Sequence, residues 1–320
     1  MLAALISFGT FAGCQKVDQS PAKSLESGSG GGGETAASEG TGEIIIDGSS
    51  TVEPVSTRVA EAYRSVAPNV LVSVATSGTG GGFKRFIAGE TDINNASRPI
   101  KEKEAEECKA NNIEYVELKI AIDGLSVVVN QENDFCKALT VAQLKAIWEP
   151  ESKVSRWNQV NPEWPDEKIS LYGADTDSGT FDYFTEEICG ESGACRTDYT
   201  ASANDNDLVL GVTQDKFALG YFGYAYYLEN RERLSAVAIS PTDNPADAVE
   251  PNSENIESGR YTPLSRPLFI YVRNDSLKRP EVKAFVEYYL GEGSSAVTDA
   301  GYVQTTAEDK AKALAAVSGQ

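Results

Sequence analysis

The stretch Glu43–Val66, "EIIIDGSSTVEPVSTRVAEAYRSV", changes its periodicity halfway along. Ile44, Ile45 and Ile46 form the short apolar run of a buried strand. Gly48, Ser49, Ser50 and Thr51 make a turn. Beyond it Val55, Val59, Tyr63 and Val66 recur near helical spacing. Pro54 falls in the first turn, where a missing N–H costs nothing. Strand, hydroxyl-rich turn and helix in this order make the beginning of a βαβ unit.

The same succession recurs. "VLVSVAT" (Val70–Thr76) is a strand, and "GFKRFIAG" (Gly82–Gly89) is a short helix closed by Gly89. "EYVELKI" and "GLSVVVN" are strands around the acidic helix "KEKEAEECKANN". "LTVAQLKAIW" is a helix capped by Thr140. "ISLYG" leads into the helix "TFDYFTEEIC", and "ALGYFGYAYY" is a strand running into a turn or helix. "LSAVAIS" and "PLFIYV" are later strands, and "PEVKAFVEYYLG" and "TAEDKAKALAAVSG" are closing helices. This alternation predicts an α/β body with mostly parallel sheets. A chain of 320 residues is long for one sheet, so two lobes with a cleft are expected. Ligands of such sheets sit beyond the carboxyl ends of strands, where helices begin.

Apolar residues are 41% of the chain, enough for real cores. Acidic residues number 48 against 28 basic ones, a formal charge of -20, which argues against a nucleic-acid partner. The chain has no histidine, which removes Ser-His-Asp and Cys-His nucleophile systems and every His-based metal site. No apolar run reaches the roughly 18 residues of a membrane span.

"MLAALISFGTFAGCQ" is short and apolar and ends in small residues before Cys14, so residues 1–14 resemble a lipoprotein export signal with Cys14 as the lipidated residue. Phe11 stands where leucine is usual in that pattern, and no Lys or Arg precedes the apolar run. Residues 15–42, rich in Gly, Ser, Glu and Ala, are expected to be a flexible tether. Four further cysteines in an exported chain suggest two disulfides. Three connectivities are open. Cys189 and Cys195 flank the turn-rich "GESGA", so they are expected to pair locally, which leaves Cys108 with Cys136.

Three turns carry the chemistry. "DGSSTVEP", "TSGTGGGFKRF" and "ADTDSGTFDYF" each put hydroxyls and glycines between a strand and a helix. A helix N-terminus offers unpaired N–H groups and partial positive charge, glycine lets an oxyanion approach the backbone, and Ser and Thr add rotatable donors. Together they form a neutral anion cradle that needs no net positive charge. Neither a nucleotide-binding GxGxxG between a strand and a helix nor GxxxxGK[ST] is present, so no nucleotide cofactor is expected. A fourth piece, "INNASRPI", adds Arg98, whose guanidinium suits an oxyanion.

At "DGSSTVEP", "SGTGGGFKRF", "NNASRPI", "DSGTFDYF" and "FALGYFGYAYY" the chain resembles the PstS-type phosphate-binding proteins of bacterial ABC importers, from about Glu43 to the end. The resemblance implies a two-lobe α/β Venus-flytrap fold with a cleft between two mixed sheets flanked by helices, residues 43–125 and 266–320 forming one lobe and 126–265 the other. It implies a monomer that carries one inorganic phosphate to an ABC permease from the periplasm or the extracytoplasmic membrane surface, lipid-anchored and without catalysis. Matched position by position, Ser50 and Thr51, then Thr79 and Gly80, then Ser97, then Ser178, Gly179 and Thr180 are the expected phosphate ligands. The chain departs from the family in one respect. An acidic residue usually follows the serine matching Ser97, and an arginine usually precedes the third turn. Here Arg98 holds the acidic place, and Asp175 and Asp177 precede Ser178. Arg98 is therefore expected to supply the guanidinium, and Asp177, or else Asp175 or Asp47, to accept the phosphate proton. The alternatives are another tetrahedral oxyanion or a phosphonate as ligand, and phosphate-ester hydrolysis as activity.

Overall fold

The computed structural model describes residues 41–319. The expected export signal, Cys14 and the tether as far as residue 40 lie outside the described residues. Gly42, the last expected tether residue, already opens the first strand. Among the described residues no helix is long and apolar enough to cross a membrane.

The first half of the chain runs β1 (Gly42–Gly48), α1 (Glu53–Tyr63), β2 (Val70–Val74), α2 (Gly78–Ile87), β3 (Ile93–Ala96), α3 (Glu102–Ala110) and β4 (Tyr115–Asn130). Then follow β5 (Ala138–Thr140), α4 (Val141–Trp148), α5 (Trp157–Val160), β6 (Ser170–Ala174), α6 (Gly179–Phe184), β7 (Thr200–Ser202), α7 (Asp205–Gln214), β8 (Ala218–Gly223) and α8 (Tyr224–Asn230). The last strands are β9 (Leu234–Ala236), β10 (Ala238–Ser240), β11 (Ser265–Arg273) and β12 (Val303–Gln304). Helices Pro280–Leu290 and Ala307–Ser318 close the body.

The sheet order is β2-β1-β3-β11-β4-β8-β6-β7, with β12 and β9 also on β4, while β5 and β10 pair separately. The outer pairs β1–β2, β1–β3, β6–β7 and β6–β8 are parallel, as the βαβ pattern predicts. The centre is not. β11 runs antiparallel to β3 and β4, and β4 runs antiparallel to β8 and β9. The sheet is therefore mixed, as the family resemblance implies, whereas the strand–helix alternation alone points to mostly parallel strands. The reason is that β4 and β11 carry the chain between halves without a crossover helix.

Two expected strands proved to be one. "EYVELKI" and "GLSVVVN" join through Ala121–Asp123 into the 16-residue β4, and α3 precedes it instead of lying between its parts. Residues up to Gly124 pair with β11, and residues from Leu125 pair with β8. On either side of that change lie separate cores. One gathers Ile44, Val59, Tyr63, Phe285 and Tyr289 around β1 and the C-terminal helices. The other gathers Trp148, Trp157, Phe184 and Tyr221, with Phe184 and Tyr221 stacked 3.7 Å apart. Each such side chain contributes about 1.5–3 kcal/mol by leaving water.

The expected disulfides are corrected by the packing: all four of these cysteines are free thiols. Cys108 is buried among Phe83, Phe86 and Tyr271, whereas Cys136 is buried with Leu139 and Trp157 in the other half. Two thiols in different cores are not placed to bond. Cys189 and Cys195 are half-buried, and burial pushes their thiols up to about 11 and about 12.

Candidate anion-binding cleft

The glycine run "GTGGGF" is not a loop ahead of a helix. It is the first turns of α2. Its glycines divide the work. A Cβ on Gly82 would lie 2.1 Å from Asn94 Oδ1 and 2.5 Å from Gly48 Cα, so only glycine lets α2 press onto the ends of β1 and β3. Gly80 meets nothing nearer than Arg98 Nη2 at 3.8 Å, so its face stays open. The close approach carries Thr79 beside Ser97: their hydroxyls lie 3.2 Å apart, and the Ser97 N–H donates to Thr79 Oγ1 at 3.2 Å.

These residues face a cleft of about 470 Å³, lined by Ser49, Ser50 and Thr51 of the first turn, Gly78, Thr79 and Gly80 of the second, and Ser97 and Arg98 after β3. Six of the ten expected ligands thus meet on one wall: Ser50, Thr51, Thr79, Gly80, Ser97 and Arg98. The third turn comes close by another route. The Cβ position of Gly179 lies 3.1 Å from Thr51 Oγ1, so the start of α6 rests against the first turn. Ser178 Oγ accepts the Thr180 N–H at 3.1 Å as the α6 cap, and neither Ser178 nor Thr180 lines the cleft. Asp177 is exposed and away from the cleft wall, its N–H donating to Asp175 Oδ1. Asp47 is buried beneath the turn, where it accepts from the Gly48 N–H at 2.7 Å and from Arg85.

Arg98 does line the cleft, but its charge is already taken. Glu104 grips both Nη atoms at 2.9 and 2.8 Å, and Arg98 Nη1 also donates to Pro99 O. Burial pushes Glu104 up, yet the Arg98 fork and the Lys101 N–H outweigh it and hold the carboxyl below its ordinary range. The guanidinium lies over the Phe83 ring, 5.6 Å from its centroid.

A second arginine on the cleft escaped the sequence reading. Arg266 stands at the start of β11, its side chain 15% exposed. Its Nη2 donates to Thr51 Oγ1 at 3.1 Å and its Nε to the buried Asp123 at 3.3 Å. Its guanidinium stacks 3.6 Å from the centre of the Tyr183 ring on α6, and Tyr183 in turn donates to Pro263 O at 2.7 Å. Burial pushes the Asp123 carboxyl up, against the pull of Arg266. Nothing in "TPLSRPLFIYV" marks Arg266 as a ligand, because its partners are distant in sequence. Asp182 of α6 and Glu186 and Glu187 of the helical turn that follows it also line the cleft.

A family model described as a PBP superfamily domain matches residues 33–292. Protein SphX of Synechocystis is 48% identical over 263 residues, 81% of this chain and 77% of that protein. The phosphate-binding protein PstS of Staphylococcus aureus is 40% identical over 277 residues, 86% of this chain and 82% of that one. The crystal structure of a possible phosphate binding protein from Planctomyces limnophilus is similar at a TM-score of 0.83 and 53% identity, covering 87% of this chain and 98% of that one.

Proposed function

The chain belongs to the PBP superfamily and, within it, to the family of the PstS phosphate-binding proteins, and on that premise we propose that it binds inorganic phosphate in this cleft and delivers it to an ABC permease. The observation that carries the proposal is the convergence of Ser50, Thr51, Thr79, Gly80 and Ser97 on one wall, with the α6 turn against Thr51. Hydroxyls and helix-start N–H groups are donors that a tetrahedral oxyanion satisfies without any protein-wide positive charge.

In this proposal residues 43–125 and 266–320 form one lobe and residues 126–265 the other. Ligand touching both lobes favours the closed form, and Ser178, Gly179 and Thr180 complete the shell from the second lobe. The protein acts outside the cytoplasm as a monomer, anchored through Cys14, and performs no catalysis. The relatives' names support binding rather than turnover.

Calorimetric titration of the phosphate-stripped protein with phosphate, then sulfate, tests this. One-to-one phosphate binding without sulfate heat is expected. Sulfate binding as tight as phosphate would replace the ligand by an oxyanion read without its proton, and steady release of product from a phosphate monoester would replace binding by hydrolysis.

A further inference from the structure

We infer that Arg266, rather than Arg98, supplies the guanidinium that grips the anion, and that Asp123 is the positioning residue that holds it. The inference rests on the phosphate reading of the cleft and names the residue on which its affinity turns.

The two arginines lie on the same cleft but differ in what is left for a ligand. A guanidinium has five N–H donors. Arg98 spends both Nη atoms on the Glu104 carboxylate in a bidentate pair. Arg98 Nη1 also donates to Pro99 O, so three of its five donors are spent, and the bidentate carboxylate cancels its charge at the point of contact. Asp123 meets Arg266 through Nε alone, at 3.3 Å. Nη2 makes one further bond, to Thr51, and Nη1 has no hydrogen-bond partner among the described residues. Arg266 therefore keeps donors for an oxyanion where Arg98 has few.

Its contact with Thr51 also sets a hydroxyl. Thr51 Oγ1 accepts from Arg266, so its own proton is left to donate, and no protein acceptor for it occurs among the described residues. The two donors are adjacent on the cleft wall. The Thr51 carbonyl is held separately by the Tyr302 hydroxyl at 2.9 Å, which fixes the turn. The Tyr183 ring covers the flat face of the Arg266 guanidinium and leaves its edge for hydrogen bonds. Since Tyr183 is carried by α6, the cation joins the first turn and β11 to the opposite wall. Asp123 holds the guanidinium at its Nε end and offsets the cost of a buried charge while the cleft is empty.

The test is calorimetric titration with inorganic phosphate of the phosphate-stripped wild-type chain, Arg266→Lys and Arg98→Lys. Both variants keep their charge and lose the planar fork. Arg266→Lys is expected to weaken phosphate binding on the order of 100-fold, and Arg98→Lys at least about tenfold less than that. A larger loss in Arg98→Lys, or equal losses, overturns the inference. Folding is controlled with the double variant Arg266→Gln with Asp123→Asn, which leaves no buried ion unpaired. It is expected to melt cooperatively and still bind at least about 100-fold more weakly than wild type. Wild-type affinity in that folded variant also overturns the inference. Absence of phosphate heat from the wild-type chain would overturn the phosphate reading and this inference together. Phosphate binding at wild-type affinity in Arg266→Lys would overturn this inference alone.

Discussion

At the scale of single residues, this protein separates charges that serve the fold from charges left available to a ligand. Asp47 with Arg85 and Arg98 with Glu104 are closed pairs. Asp205, at the start of α7, is held differently. Burial pushes its carboxyl up to about 6 against the pull of the Gly223 N–H. A carboxyl raised above its ordinary value destabilises the fold when ionised. Its cost is absent below the ordinary value of 3.8 and grows as pH rises toward about 6. Asp205→Asn is therefore expected to melt above wild type at about pH 7.5, with the gap closing below about pH 4. Melting curves across that range check it, and a gap that widens toward acid would refute the assignment.

At the scale of elements, α2 shows how one glycine run meets two demands. Gly82→Ala forces a Cβ against Asn94 and the Gly48 backbone, and it is expected to cost on the order of 3 kcal/mol in urea unfolding. Gly80→Ala meets open space and gains helix propensity, so stability should hold or rise by up to about 1 kcal/mol. If the two variants unfolded alike, the close approach of α2 to β1 and β3 would not be what the run is for. The cap of α4 is an independent check. Thr140 Oγ1 accepts the Gln143 N–H at 3.1 Å, and Thr140→Ala should cost about 1 kcal/mol by the same measurement.

At the scale of the whole molecule, the shared strand β4 ties the two cores together, and ligand joining them should stabilise both. Phosphate at about 100 times its dissociation constant adds roughly 2.7 kcal/mol to the folded state. For a body of this size that raises the melting temperature by about 5 °C. Sulfate at the same concentration should leave it unmoved. A phosphate-independent melting curve would remove the cleft as a phosphate site.

The sequence by itself determined the local units. The isoleucine run of β1, the 3.6-residue spacing of α1, the Thr140 cap and the strand-to-helix step at Gly223–Tyr224 all rest on interactions within a few residues. The hydroxyl and glycine turns were legible for the same reason, since their chemistry is local, and six of the expected ligands line the cleft. Only the tertiary structure decided how units met. Periodicity carries no information about which strand lies beside which, so the fusion of β4 and the identity of the strands that run antiparallel at the centre of the sheet stayed hidden. Cysteine spacing could not reveal that Cys108 and Cys136 lie in different cores. Charge availability is the clearest case. Arg98 sits within a recognisable motif, but Glu104 closes it, while Arg266 is drawn to the cleft by Thr51, Asp123 and Tyr183 from three distant parts of the chain. Local order is written in neighbours along the chain, whereas a free charge depends on neighbours in space.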